Sequence, residues 1–139
     1  MPIRLAVAAD IPRLHAIRTS VRENRLSSPD RITFEMYRVR LEETGRGWLF
    51  EEDGTVLGFA IADAATRSVW ALFVSPDAEG RGIGRALLNE VTAWLFARGS
   101  EPVWLTTAPG TRAERLYREA GWRETGRDAN GEVRFEKSP

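Results

Sequence analysis

Apolar positions along this chain recur with two spacings, every second residue or every third to fourth, and the switches between them mark out its elements. Residues 3 to 7 (IRLAV) have the composition of a short strand. Asp10 then offers a helix N-cap, and Pro12 falls in the first helical turn, where its missing N–H costs little. Leu14, Ile17 and Val21 continue as an apolar stripe. Ser27, Ser28, Pro29 and Asp30 break the chain, and the spacing predicts a second helix from Thr33 to about Thr44, with Tyr37 and Leu41 on one face and Gly45 and Gly47 ending it. WLFEE and TVLGFAIAD flank Asp53-Gly54, a dipeptide that favours a type I′ hairpin turn. Residues 68 to 74 (SVWALFV) are continuously apolar, as a strand covered on both faces requires. From Gly82, the residues Ile83, Leu87, Leu88, Val91 and Leu95 make a buried helical face that ends near Gly99. Residues 103 to 107 (VWLTT) predict another strand. Thr111 with Glu114 fits a capping box opening a helix to about Ala120, and Gly121 closes it. Trp122 to Thr125 and Val133 to Glu136 predict two last strands around Asn130-Gly131. The order is that of an α/β chain in the α+β sense, a central mixed sheet with helices on both faces.

Composition narrows what such a fold can do. At 139 residues the chain is expected to form a single domain spanning 1 to 139. Twenty Lys and Arg balance twenty Asp and Glu, so the basic excess of a nucleic-acid-binding protein is lacking. There is no cysteine, which excludes disulfides, a thiol nucleophile and thiolate metal sites, and suits a reducing cytosol. Arg4, Asp10 and Pro12 interrupt any signal-like apolar stretch, and no run approaches the length of a membrane span. A soluble, unprocessed protein in the cytoplasm, with no membrane or nucleic-acid partner and no metal, is the expectation.

The chemistry concentrates in residues 74 to 88, VSPDAEGRGIGRALL, where Gly80, Gly82 and Gly84 stand at alternate positions between a buried strand and an amphipathic helix. Glycine permits positive φ and close approach to a ligand, and the first amides of a helix lack partners at the positive end of its dipole. Such a turn holds a phosphate or pyrophosphate, with Arg81 and Arg85 placed to add charge-assisted contacts. No Lys-Ser or Lys-Thr follows the glycines, which excludes the P-loop pattern, and the spacing is not GxGxxG. A tight turn that only lets the helix pack on the sheet is the bland alternative.

Residues 74 to 88 resemble the coenzyme A pyrophosphate loop of GNAT superfamily N-acetyltransferases. TRAERLYREAGW, residues 111 to 122, resembles that family's later motif, an alanine-bearing helix with a Leu-Tyr pair and a Gly-aromatic step. The resemblance implies an acyl-CoA-dependent N-acyltransferase that moves acetyl from acetyl-CoA to a primary amine by direct attack in a ternary complex. The strands at 68 to 74 and 103 to 107 would splay to admit the thioester. Phe73 and Val74 would pair with the pantetheine arm, and Glu79, Gly80, Arg81, Gly82, Ile83, Gly84 and Arg85 would form the pyrophosphate cradle, with Gly110 and Tyr117 completing the cofactor site. The family more often carries Arg or Gln at Glu79 and Asn at Gly110, departures that bear on affinity. Tyr117 matches the family's general acid, against an ordinary core role beside Ala113 and Ala120.

No carboxylate lies on SVWALFV to act as base, so a water chain is the simplest route for the amine proton, with Glu23 as a remote candidate. Five tryptophans are many for this length. Trp70 and Trp104 sit on the two strands flanking the expected cleft, as candidates for the acceptor pocket, although packing is the default for large aromatics. Arg22, Arg25 and Arg31 cluster in the first inter-helical loop, where they would favour a carboxylate-bearing amine or simply form a solvated face. The sole histidine, His15, reads as a packing or surface residue. The acceptor class is a small-molecule or peptide amine, and the family's habit implies a homodimer. The rival reading is a noncatalytic acyl-CoA-binding sensor or regulatory module.

Overall fold

The computed structural model describes residues 2–21 and 32–139. Strand β1 is Ile3–Leu5, followed by a 3-10 turn at Ala8–Asp10 and helix α1 at Ile11–Ser20. Helix α2 is Phe34–Val39, continued by a π-type turn at Arg40–Thr44. Strands β2 (Gly45–Glu52), β3 (Thr55–Asp63) and β4 (Ser68–Val74) lead to helix α3 (Ile83–Phe96). Strand β5 (Val103–Thr107), helix α4 (Arg112–Glu119), and strands β6 (Arg123–Arg127) and β7 (Val133–Lys137) complete the order.

The seven strands form one mixed sheet in the order β1-β2-β3-β4-β5-β7-β6. All neighbours are antiparallel except β4 and β5. That parallel pair is joined in register only at Ser68↔Trp104, with the Trp104 amide also bonded to the Arg67 carbonyl, 3.2 Å. Past this point the two strands part. A buried cluster lies on each face of the sheet. Ile11, Leu14, Ile17 and Tyr37 of the first two helices pack on Leu49, Phe59, Ile61 and Ala71, while Ile83, Leu87, Val91 and Leu95 of α3 pack on Phe50, Ala60, Ala62 and Leu72. The expected mixed sheet with helices on both faces is therefore the observed fold.

Several local expectations need correction. Asp10 does not cap α1: its backbone is already helical, and its carboxylate instead accepts the Val7 amide at 2.8 Å and pairs with Arg4 and Arg13. That bond turns Val7 out of the ladder, so β1 ends at Leu5 and not at residue 7. The predicted stop holds at Gly45, which caps the π-type turn ending at Thr44 and at once opens β2, whereas Gly47 lies inside the strand. A Cβ on Gly45 would lie 1.7 Å from the Ala62 carbonyl oxygen, so only glycine lets this strand pair here. The predicted second helix does begin after Thr33, whose hydroxyl accepts the Met36 amide, but its last turn widens to the π type. The hairpin turn is as expected, with φ of 50° at Asp53 and 77° at Gly54. Trp122 stays outside β6 because its amide bonds back to the Tyr117 carbonyl, 3.0 Å, closing α4 in a Schellman-type end with Gly121. Among the described residues no helix is long and apolar enough to cross a membrane.

Candidate functional site

The parting of β4 from β5 opens a cleft of about 400 Å³, bounded by the end of β4, the turn before α3 and one face of α4. The turn owes its shape to its glycines. Gly80 and Gly82 have φ of 81° and 82°, values that an L side chain adopts only with strain, and a Cβ at either would meet open space. Backbone conformation, not crowding, thus selects glycine there. Gly84 differs: a Cβ would lie 3.3 Å from Leu116 and 3.5 Å from Val74, so this glycine brings α3 close to α4 and β4. Ile83, 2% exposed, pins the helix start into the core. The first helical bond runs from the Ala86 amide to the Gly82 carbonyl, and the amides before it have no carbonyl one turn back. They are a ready cradle for an anion.

Of the residues singled out from sequence, Phe73, Val74, Glu79, Gly80, Gly82, Ile83, Gly84 and Arg85 all line this cleft. Arg81 does not, because its guanidinium turns to Glu52 at 2.8 Å. Gly110 is also outside the lining, and its amide donates to the Glu114 carboxylate at 2.7 Å. That carboxylate is held below its usual range by this bond first and by Arg118 next. The capping box is accordingly shifted by one residue: Thr111 accepts the Glu114 amide as expected, but Glu114 reaches back to Gly110. Glu79 stands 3.6 Å from Arg112, an ion pair that tempers a carboxylate beside the cradle.

Tyr117 is 3% exposed and packs between Trp122 and Phe135, ring centroids 6.0 and 5.9 Å away. Burial, and to a smaller degree the charge of Glu132, raises its pKa, so the phenol stays protonated at neutral pH. Its neighbour Leu116, not Tyr117 itself, lines the cleft. Trp104 is likewise not a cleft residue: its indole N–H donates to the Thr66 carbonyl at 2.9 Å and Arg134 stacks on its ring, at the end of the sheet where β4 and β5 are still joined. Trp70 lies on the face of α1 and α2, edge-on to Tyr37. Arg22, Glu23, Arg25 and Arg31 fall outside the described residues.

Sequence reasoning missed Val21 at the end of α1 and the α4 residues Thr111, Arg112, Arg115, Leu116 and Glu119. The α4 residues repeat at helical spacing, so the period that placed the helix also marks the face it turns to the cleft. Arg85 is 3.8 Å from Glu119, and Arg112 and Arg115 add charge near the glycine turn. Among the described residues no group of three or more metal-ligating side chains is brought together. An open anion cradle, guanidinium groups and an apolar slot leading between parted strands suit a long ligand with a phosphate at one end.

Similarity to known proteins agrees with this geometry. The mycothiol acetyltransferase of Beutenbergia cavernae is 37% identical over 101 residues, which take in 66% of this chain and 34% of that protein. The peptidyl-lysine N-acetyltransferase YiaC of Escherichia coli is 46% identical over 46 residues, 33% of this chain and 31% of its own length. The chain thus spans about a third of the length of the curated relatives it matches. Among solved structures, a ribosomal-protein-alanine N-acetyltransferase from Brucella melitensis shares the fold with a TM-score of 0.79 at 23% identity, over 100% of both chains. PaiA N-acetyltransferase from Thermoplasma acidophilum, solved in complex with coenzyme A, does so with a TM-score of 0.78 at 18% identity, again over 100% of both. The sequence profile described as "Acetyltransferase (GNAT) family" matches residues 11–122, from the first residue of α1 to the tryptophan that closes α4. This chain belongs to the Acetyltransferase (GNAT) family.

Proposed function

We propose that the protein binds acetyl-coenzyme A along this cleft and transfers the acetyl group to a primary amine by direct attack in a ternary complex. The observation that carries the reading is the continuity of the cleft from the open amides at Gly80 to Arg85 into the gap beside Phe73 and Val74. The pyrophosphate would lie on the helix start and the pantetheine arm along the free edge of β4. The amine nitrogen attacks the thioester carbonyl carbon, the C–N bond forms, the C–S bond breaks, and sulfur leaves as a thiolate. Main-chain amides of β4 would steady the oxyanion, and Tyr117, a phenol protonated at neutral pH that lies behind the Leu116 wall of the cleft, is assigned the proton that sulfur takes. Water takes the proton that the amine gives up.

Isothermal titration with acetyl-CoA tests the reading, alongside Gly82→Glu, which places a carboxylate in the turn. Binding by the parent and loss in the folded variant support it, whereas a folded parent that does not bind overturns it. The enclosure of Tyr117 by Trp122 and Phe135 favours one second reading, a noncatalytic acyl-CoA sensor, which binds as well but releases no coenzyme A with any amine. A cytoplasmic setting and a homodimer belong to the same proposal, and sedimentation of the purified protein decides the dimer.

A further inference from the structure

The cleft passes through the sheet. Leu72 and Val74 face α3, but Phe73 points to the opposite face and, with Val21 of α1, forms the cleft's other mouth. Three residues before Val21 stands Arg18, whose guanidinium lies over Phe73 at 4.8 Å and over Trp70 at 5.3 Å from the ring centroids. Its Nη1 is buried with no hydrogen-bond partner, the rest of the guanidinium interacts with the Tyr37 hydroxyl, and among the described residues no carboxylate pairs with it. A second guanidinium, Arg40, also stacks on Trp70, 4.6 Å from its centroid, and already engages the buried Asp63 at 3.4 Å. Arg18 and Arg40 thus share Trp70 behind Phe73, and of the two only Arg40 has a carboxylate among the described residues. A half-buried guanidinium with an unused N–H is costly unless an anion meets it. Its charge reaches its neighbours: together with burial it keeps His15 below the usual imidazole range.

We propose that Arg18 reads a carboxylate on the acceptor, and that the acceptor is an amino acid whose amine enters between Val21 and Phe73 while its carboxylate stays on the α1 side against Arg18. The inference rests on the acyl transfer proposed above. Arg18 touches no reacting atom; it sets which amines dwell at the mouth. Lying over Phe73 and Trp70, the Arg18 guanidinium is a charge-assisted donor of the kind that pairs with a carboxylate. Arg40 cannot take this part while Asp63 and the Met36 carbonyl hold it.

The test uses the full chain with acetyl-CoA and a panel of L-amino acids, each paired with its own carboxamide, and follows release of coenzyme A thiol. The acids are expected to exceed their amides by about tenfold or more in kcat/KM, chiefly through KM, the size of one charge-assisted bond. Arg18→Met, which keeps the apolar stem on Trp70, is expected to reduce that acid-to-amide ratio to near one. Arg18→Lys is expected to keep part of the ratio. Amides equal to acids, a ratio that survives Arg18→Met, or a protein that binds acetyl-CoA yet acetylates no amino acid of the panel would each overturn the inference and leave the cofactor site standing. Absence of acetyl-CoA binding strikes the proposed function itself, so the two failures are separable.

Discussion

Single residues carry more than one duty here, and Asp10 is the clearest instance. It is 2% exposed, accepts the Val7 amide, and meets Arg4 at 3.0 Å and Arg13 at 2.6 Å. These bonds, led by Arg4, lower its pKa from 3.8 to about 2. A depressed carboxylate contributes stability that is complete above its unfolded value and is lost as pH falls through its folded one. Asp10 is thus expected to contribute about 2 kcal/mol at neutral pH and to lose it between about pH 4 and pH 2. Urea unfolding at stepped pH checks this: the parent should weaken over that window, and Asp10→Asn should be weaker at neutral pH and flatter below it. At the same scale, Tyr117→Phe is expected to lower kcat by about 10² while acetyl-CoA affinity holds, the cost of losing the proton donor proposed above. A thiol-release assay beside a titration reads both. Sequence identified Asp10 as a cap but not what it caps, because a carboxylate three residues past an extended chain can bond backward as readily as forward. Arg18 escaped notice for a related reason: an exposed-looking arginine on a helix does not declare its aromatic neighbours on β4.

At the scale of elements, the legible features were those decided locally. Helix α3 could be read from its apolar period, the type I′ turn from Asp53-Gly54, and the α3 cradle from its glycines. What could not be read depends on contacts distant in the chain. Gly45 ends the helical segment as its sequence suggests, but that it also opens β2, with Gly47 inside the strand, shows only once Ala62 and Leu41 are placed against them. The turn before α3 yields a sharp contrast between neighbouring glycines. Gly82→Ala forces a side chain to φ near +82° and is expected to destabilise by about 1–2 kcal/mol while weakening acetyl-CoA binding. Gly84→Ala stays within helical φ and presses only on Leu116 and Val74, so its effect should show as a shift of α3 against α4, with binding less affected than stability. Thermal melts with and without acetyl-CoA separate the two. Thr111 gives a third case: it is 3% exposed, accepts the Glu114 amide and donates to the Ala108 carbonyl at 2.8 Å. Thr111→Ala is expected to cost about 1–2 kcal/mol and to loosen the α4 wall of the cleft.

The whole molecule is two antiparallel half-sheets, β1 to β4 and β5 with β7 and β6, held to each other along a short parallel seam. Because the seam is pinned at Ser68↔Trp104 and open beyond, ligand entry should tighten one end of it and leave the outer strands alone. Hydrogen exchange is expected to slow, on adding acetyl-CoA, at the β4 amides that face β5 and through residues 80 to 85, with β1 and β2 unchanged. The seam also divides labour along the chain. Among the described residues, those that line the cleft come from residues 72 to 119 and Val21, whereas Arg18, Tyr37 and Arg40, on the other face, come from the first forty. On the transfer and the Arg18 contact proposed above, acceptor choice and donor binding are written in different paragraphs of the gene. Recombination or drift confined to the stretch encoding α1 and α2 is then expected to trade one amine for another with the phosphate cradle untouched, and a chimera carrying a relative's first forty-four residues should inherit that relative's acceptor.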